Sequence, residues 1–404
     1  MTHLAPGDPV PWFTLPSSSN PNYHFDTVGG YYVILFFFGS AQNERVKRVV
    51  DEFCDRQEQL QALNVPFLGV SIDAGDRHLD TQIKIPTYCK FFWDDERRVS
   101  IEYGVCQPET QHEARYAPTA FVLDPMLRIL HVFPLEKPDG FVDQIFDAIT
   151  PLSTISPTSL GASQAPVLFI PRVFEPDFCQ HLIDLYEADG GRDSGFMRQI
   201  DGKTVEILDH SFKQRRDFPI TESKLLERVN HLILRRVRPE IAKAFQFQIT
   251  RFERHLVACY EAQHHGFFNR HRDNTTKGTA HRRFAMTLNL NTGDYDGGYL
   301  RFPEFGNQLY RPGVGEALIF SCSLLHEATP ITKGRRFALL SFFYDDDAAR
   351  IREQNQKYVA LADASPTPGG DRSQGSATSP IGASGFQQAN VLAGSRKKRR
   401  KKRR

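Results

Sequence analysis

Two histidines and an aspartate, His271, Asp273 and His326, are the residues of this sequence best suited to chemistry, and Arg336 follows the last of them by ten positions. Two imidazoles and one carboxylate on one face of a metal ion form a set that holds ferrous iron and leaves coordination positions open. Open positions are what oxygen chemistry requires. In an extended strand, residues i and i+2 point the same way, so His-x-Asp places two donors side by side. The third donor must come from a distant strand folded over the first two, and His326 lies far enough along the chain to supply it. The spacing predicts metal-dependent oxidation.

His271-Arg272-Asp273 also spells the catalytic-loop motif of protein kinases. That motif requires Asn five residues after the Asp, and Gly278 stands there. No Asp-Phe-Gly follows and no Gly-x-Gly-x-x-Gly precedes, so the kinase reading fails. Among the other histidines, His264 and His265 precede the strand and read as loop residues. His281, beside Arg282 and Arg283, reads as part of a solvated loop.

The elements that must position the three donors follow from periodicity. After Phe252 the pattern is short strands parted by turns at Gly293-Asp294, Asp296-Gly297-Gly298 and Arg311-Pro312-Gly313-Val314-Gly315. Several short strands with glycine turns predict a jelly-roll barrel. Helices are expected behind it over 176–188 and 223–245, the second with Leu225, Val229, Ile233, Val237 and Ile241 along one side. Earlier in the chain, strand-like runs at 32–38, 67–72 and 120–123 alternate with a helix-like run at 44–63. That β-α-β order predicts a three-layer α/β domain. A Pro-, Ser- and Thr-rich stretch around 150–158 reads as a linker. The expected division is 1–150, a linker at 151–164, 165–352, and a disordered tail over 353–404 that is rich in Ser, Gly, Ala and Pro before its basic end.

Two family resemblances carry these expectations further. Tyr260-(x)5-Gly266-Phe267-Phe268-x-x-His271-x-Asp273, Asp296-Gly297-Gly298-Tyr299-Leu300-Arg301-Phe302, Gly315-x-Ala317-Leu318-x-Phe320 and His326-Glu327-x-x-Pro330-(x)5-Arg336 resemble the prolyl 4-hydroxylase-like 2-oxoglutarate/Fe(II)-dependent dioxygenases. The resemblance covers residues ~165–350. It implies a double-stranded β-helix (jelly roll), Fe(2+), 2-oxoglutarate as co-substrate, L-ascorbate as a helper, molecular oxygen, and hydroxylation of a protein, peptide or small-molecule substrate. It also implies His271, Asp273 and His326 as catalytic iron ligands, Arg336 as the anchor of the co-substrate's distal carboxylate, and Tyr260 as a second residue holding it. Arginine suits that task because its planar fork matches two carboxylate oxygens. Arg335 alternates to the opposite face of its strand, so one of the pair should reach the pocket.

Pro6-Gly7-Asp8-x-x-Pro11-x-Phe13-x-Leu15, Tyr103-Gly104-Val105 and Ala117-Pro118-Thr119-Ala120-Phe121-Val122-Leu123-Asp124 resemble the thioredoxin-like peroxiredoxins, over residues ~1–150. The resemblance implies a cis bond at Pro118. A peroxidase of this kind needs a cysteine at the helix start after the first buried strand, where the helix N-terminus favours thiolate. That region reads Phe38-Gly39-Ser40-Ala41-Gln42-Asn43-Glu44, without cysteine. Cys54 falls too late and should be packed in the helix; Cys106 is the best remaining thiol. A peroxidase-dead domain that binds a partner is expected.

Composition bounds the rest. Cys54, Cys89, Cys106, Cys179, Cys259 and Cys322 show no Cys-x-x-Cys spacing, so neither a disulfide framework nor a zinc site is indicated and a cytoplasmic protein is expected. The longest apolar run, 31–38, is far short of the roughly 20 residues that span a bilayer. The formal charge of +2 hides nine consecutive cations, from Arg396 to Arg404; without them 41 basic residues face 48 acidic ones, a balance of −7. Such a run predicts nonspecific polyanion binding. The functional expectation is a hydroxylase that couples oxidative decarboxylation of 2-oxoglutarate to substrate oxidation. The alternative is a non-catalytic redox-sensing or scaffold protein with a thioredoxin-like interaction domain.

Overall fold

Every residue of strand β1 (Val33–Gly39) is buried, as its unbroken apolar run requires. In this computed structural model, which describes residues 4–79, 88–107, 116–152 and 164–360, β1 is the middle of a five-stranded sheet. Its neighbours follow from chain order: α1 (Glu44–Asp55), α2 (Gln57–Leu63), β2 (Phe67–Ser71), β3 (Cys89–Trp93), α3 (Arg98–Glu102), β4 (Thr119–Leu123), β5 (Ile129–Pro134) and α4 (Phe141–Ile149). The sheet order is β3-β2-β1-β4-β5, with β1, β2 and β3 parallel, β4 antiparallel to β1, and β5 antiparallel to β4. Alternate side chains of β1 feed two cores. Ile34, Phe36 and Phe38 pack with α1 and α4, while Val33, Leu35 and Phe37 pack with Phe13, Phe25 and Tyr103. This is the expected three-layer α/β arrangement.

Two details differ from the sequence reading. The helix expected over 44–63 breaks at Arg56, whose φ of −89° and ψ of 21° leave the helical region. Its apolar stripe is interrupted there, between Phe53 and Leu60, and Arg56 instead pairs with Glu52 and Asp143. No peptide bond among the described residues is cis, so Pro118 follows a trans bond, the isomer favoured at X–Pro bonds by about 0.5–1 kcal/mol.

The chain divides into two compact units, Met1–Leu160 and Gly161–Arg404. The second unit contains β6 (Leu168–Ile170), α5 (Pro176–Asp189), β7 (Arg192–Asp193), β8 (Phe196–Ile200), β9 (Lys203–Ile207), β10 (Lys213–Gln214), β11 (Arg216–Pro219), α6 (Ser223–Arg236) and α7 (Arg238–Phe245). Then follow β12 (Arg251–Glu261), β13 (Phe267–His271), β14 (Phe284–Asn289), β15 (Asp296–Gly297), β16 (Leu300–Arg301), β17 (Leu309–Tyr310), β18 (Ala317–Ser321), β19 (His326–Ala328), β20 (Ile331–Lys333), β21 (Arg335–Tyr344) and α8 (Asp346–Asn355). A seven-stranded antiparallel sheet runs β6-β18-β14-β21-β12-β11-β7, and a five-stranded one runs β10-β13-β19-β16-β17.

Strand alternation again sorts the side chains. Val257 and Cys259 of β12 face the helices, in a core with Leu182, Val229, Ile233 and Leu339. Leu256, Ala258 and Tyr260 face the other way, in a core that includes Leu300, Phe302 and Ala328 of the smaller sheet's side. The space between the two sheets is therefore walled by residues of both. The helix expected over 223–245 is two helices meeting at Val237, because Pro239 sits in the first turn of the second and cannot continue the first.

Residues 353–360, expected to belong to the tail, are part of the described structure. Asp345 caps α8 by accepting from Ala348 N–H, the helix runs to Asn355, and Val359 bridges to Thr204. Ordered structure thus extends through 353–360. Residues 361–404, with the basic run Arg396 to Arg404, lie outside the described residues, as does most of the expected linker.

Candidate metal centre

β13 and β19 are neighbours, and their register sets His271 opposite His326. A register irregularity between Phe268 and His271 marks a bulge, which re-aims side chains. Residues three apart thereby share a side: the Phe268 and His271 rings stack with centroids 3.6 Å apart. β13 ends at His271, so Asp273 sits on the turn beyond the strand rather than within it. Its backbone is held at both groups: the N–H donates to Cys322 O at 3.0 Å, and the carbonyl accepts from Arg282 Nη1 at 3.2 Å.

One donor atom from each of His271, Asp273 and His326 lies within 4.8 Å of the others. His271 Nε2 is 3.5 Å from Asp273 Oδ1, and His326 Nε2 is 3.5 Å from Asp273 Oδ2. Each imidazole is oriented from behind. His271 Nδ1 lies 2.7 Å from the Asn269 carbonyl, and His326 Nδ1 lies 3.0 Å from the Leu324 carbonyl. A carbonyl only accepts, so both Nδ1 atoms donate and both Nε2 atoms keep their lone pairs in the neutral rings. Backbone partners of this kind fix the tautomer of metal-binding histidines. Burial, with help from His271, pushes the His326 imidazole down to about 4. It is uncharged at neutral pH. Burial alone would raise the Asp273 carboxyl, but His326, His271 and Arg282 outweigh it and hold the group ionised below the usual carboxylate range. Two imidazoles and one carboxylate fit a ferrous ion with open positions.

Beside the triad lies a cavity of about 610 Å³. Arg336, at the start of β21, is 2 % exposed and reaches into it. Its Nη2 donates to Thr287 Oγ1 at 3.0 Å and to Asn289 Oδ1 at 2.9 Å. These partners orient the guanidinium but do not neutralise it, and it forms no ion pair among the described residues. Gly298, with φ of +62°, makes room for it: a Cβ there would come within 3.0 Å of Arg336 Cδ and 2.3 Å of Ile331 Cδ1. A buried guanidinium without a carboxylate is costly.

Tyr260 pairs with Arg336 across β12 and β21, and the guanidinium lies 5.4 Å from its ring centroid. The Tyr260 hydroxyl accepts from Arg215 Nη1 at 3.4 Å. The structure thus brings all five sequence-selected residues to one cavity. Arg335 points away and pairs with Glu187. His264 and His265 lie in the turn before β13. His281 departs from expectation: it is fully buried, with Nε2 3.0 Å from Glu253 Oε2. Glu253 also takes Arg282 through two bonds of 2.6 and 2.5 Å, and this buried acid draws both residues inward. Sequence reasoning missed Glu253, Arg282, Lys213, Arg215 and Arg254. Their partners lie far off in sequence, so no local pattern announces them.

Among the cysteines of the first unit, Cys54 is packed in α1 and Cys106 is wholly buried. All six cysteines of the chain are buried and none is in a disulfide.

Residues 6–132 match the AhpC/TSA family, and residues 255–344 match the 2OG-Fe(II) oxygenase superfamily. A putative peroxiredoxin bcp of Coxiella burnetii is 28% identical over 142 residues, covering 34% of this chain and 94% of that protein. A PKHD-type hydroxylase of Pseudomonas fluorescens is 33% identical over 110 residues, covering 25% of this chain. The chain spans about half the length of that hydroxylase, 46%. A prolyl-4-hydroxylase structure from Pseudomonas putida aligns with a TM-score of 0.33 at 18% identity, covering 45% of this chain and 93% of that one. The chain thus joins a peroxiredoxin-like segment to one similar to iron-dependent oxygenases.

Proposed function

We propose that the second unit is an Fe(II)- and 2-oxoglutarate-dependent dioxygenase built on a double-stranded β-helix, and that it hydroxylates its substrate. The observation that carries this reading is the pairing, in one cavity, of a two-histidine, one-carboxylate set with a buried arginine that has no acidic partner among the described residues. His271, Asp273 and His326 would hold the iron, whose role when bound is to activate oxygen at the open positions. Arg336, oriented by Thr287 and Asn289, would pair with the distal carboxylate of 2-oxoglutarate, and Tyr260 would flank it. Phe268, stacked on His271, would hold that imidazole in place. The backbone carbonyls behind His271 and His326 take each Nδ1–H, so that in the neutral rings the Nε2 lone pairs would face the ion. L-Ascorbate is proposed as a helper on family grounds alone.

For the first unit we propose a partner-binding role without peroxidase chemistry. The start of α1 offers Ser40, Ala41, Gln42 and Asn43, and none is a thiol. We propose a reducing, cytoplasmic setting, supported by six cysteines outside any disulfide. The decisive experiment is anaerobic titration of the full chain with ferrous ion and then 2-oxoglutarate, followed by succinate release on admitting oxygen. Uptake of both ligands is expected; refusal of ferrous ion would sink the reading.

A further inference from the structure

The cavity beside the triad carries more positive charge than the proposed function uses. Arg336 is assigned to the co-substrate. Among the other lining cations, Arg282 is matched by Glu253 and Arg272 by Glu304. Three more cations line it: Lys213 on β10, Arg215 just before β11, and Arg254 on β12. Asp217 matches Arg215 at 2.6 Å, and Glu206 also lines this wall, but neither acid forms an ion pair with Lys213 or Arg254 among the described residues. Arg254 comes only within 3.9 Å of Glu253, whose two oxygens already accept from Arg282. The Nε atoms of Arg215 and Arg254 are both buried without a hydrogen-bond partner. Lys213 Nζ donates to Ser194 Oγ and to the Gly195 carbonyl, each at 2.6 Å, and forms no ion pair among the described residues.

These groups are built in. Lys213 is 4 % exposed and Arg215 8 %. Burial, and then the neighbouring Arg215 charge, press the Lys213 ammonium well below the ordinary lysine range, with Arg254 adding to the effect. A wall that served packing alone would carry apolar side chains here, as it does at Phe196, Phe212 and Phe268. Buried cations in excess of carboxylates are tolerated where an anion arrives to meet them. The group also lies close to the reaction centre. Phe268, whose ring stacks on His271, has the Lys213 ammonium 4.9 Å from its centroid.

We propose that Lys213 and Arg254, with Arg215 fixed by Asp217, form an anion subsite for the molecule to be oxidised, and that this molecule is a small organic anion bearing a carboxylate or phosphate. The proposal rests on the oxygenase reading of the same cavity, because that reading supplies the chemistry the anion would meet. Arg215 marks the border with the co-substrate side through its contact with the Tyr260 hydroxyl. A cavity of about 610 Å³ has room for 2-oxoglutarate and a second small molecule. Arginine and lysine together suit carboxylate and phosphate oxygens through charge-assisted hydrogen bonds.

The test uses the full chain, held anaerobic with ferrous ion and saturating 2-oxoglutarate, and titrates three probes of similar size by calorimetry. Phenylacetate and phenyl phosphate are the anions, and phenylacetamide is the neutral control. Both anions should bind, and the amide about tenfold or more weakly, as loss of charge-assisted bonds implies. Lys213→Met keeps the side chain's length and removes a buried charge, so it should fold and lose about tenfold in anion affinity. Arg254→Gln, at a partly exposed side chain, should lose less. Both variants should take 2-oxoglutarate within about threefold of the parent affinity, since no contact to Arg336 is removed. Equal binding of amide and anions overturns the subsite, as does unchanged anion affinity in both variants. A loss of 2-oxoglutarate affinity in Lys213→Met also overturns it, by giving these cations to the co-substrate. Uptake of an acetylated Asp-containing peptide with neither small anion bound overturns the small-molecule class. Failure of the unaltered chain to take up ferrous ion and 2-oxoglutarate, read before any probe is added, overturns the oxygenase function itself.

Discussion

The start of α1 in the first unit and the triad in the second are both places where a strand hands polar side chains to a turn, β1 being buried throughout and β13 only in part. They use them in opposite ways. At α1, Ser40 Oγ donates to Asp73 at 2.6 Å, Ala41 N–H donates to Asp76 at 2.9 Å, and Asn43 accepts from Arg45 N–H as the helix cap. The polar groups are spent on one another. At the triad, hydrogen bonds fix only the outer edge of each imidazole, and the inner nitrogens and the Asp273 oxygens face a common point. The difference teaches that burial alone does not make a site. Stability comes from closing every polar contact, whereas chemistry requires leaving some open inside a rigid frame.

Replacing one donor should break that contrast most severely. His271→Ala removes one of three ligands, and retention of ferrous ion and succinate formation should both fall by about 100-fold or more. Iron content and succinate release measure this. Full turnover in the variant would mean that the open atoms are not the reactive ones.

The frame is tested next. Glu253 holds Arg282, which in turn holds the Asp273 carbonyl. Glu253→Gln leaves a buried guanidinium poorly paired, and loss of one partner from such a pair costs about 3–5 kcal/mol. Denaturant unfolding should show this loss in the second unit. The wild-type contribution depends on pH in a defined direction. Burial opposes ionisation of Glu253, but Arg282, His281 and Arg254 hold it well below the normal carboxyl range. A depressed folded-state value means the pair stabilises above the unfolded value, about 4.3. That stability is lost as pH falls toward the folded value. Glu253→Gln should therefore flatten the acid limb of the stability curve.

Arg336→Ala should have a smaller and more selective effect. It removes a charge-assisted contact worth about 1.5–3 kcal/mol, so the KM for 2-oxoglutarate should rise by about 10- to 150-fold. Ferrous ion binding should persist. If iron and 2-oxoglutarate binding fall together, Arg336 supports the fold rather than the co-substrate.

These expectations also show what a sequence makes legible. His271, Asp273 and His326 could be selected because the family motif and a glycine-punctuated strand pattern are local, although the period-two argument did not hold, since Asp273 lies on the turn after the strand. Alternation showed that one of Arg335 and Arg336 faces the pocket, and the motif selected Arg336. The strand Val33–Gly39 announced itself by an unbroken apolar run. What escaped notice was long-range. Glu253 meets His281 and Arg282 across a sheet, so His281 looked solvated from its basic neighbours. Lys213 and Arg254 become a group only when β10 and β12 come to line one cavity. The hairpin of β8 and β9 lacks a strong apolar alternation and was not foreseen. Breaks at Arg56 and Val237 depended on where an apolar stripe lapses and where Pro239 falls, and the helical period alone overrode both signals.

The smallest expected effect is the one that defines the first unit. The full chain, with iron removed by chelation, should consume hydrogen peroxide no faster than its six buried thiols allow. Peroxide is attacked by thiolate, and exposure governs access. Cys106 is completely buried, and Cys54 and Cys89 are nearly so. Burial and the contact with Cys54 push the Cys89 thiol far above its ordinary value. Cys54→Ser, Cys89→Ser and Cys106→Ser should each leave the slow rate unchanged. A fast rate lost in any one of these variants would show that the first unit opens to expose a reactive thiol. The contrast between a closed and an open polar site would then no longer distinguish the two units.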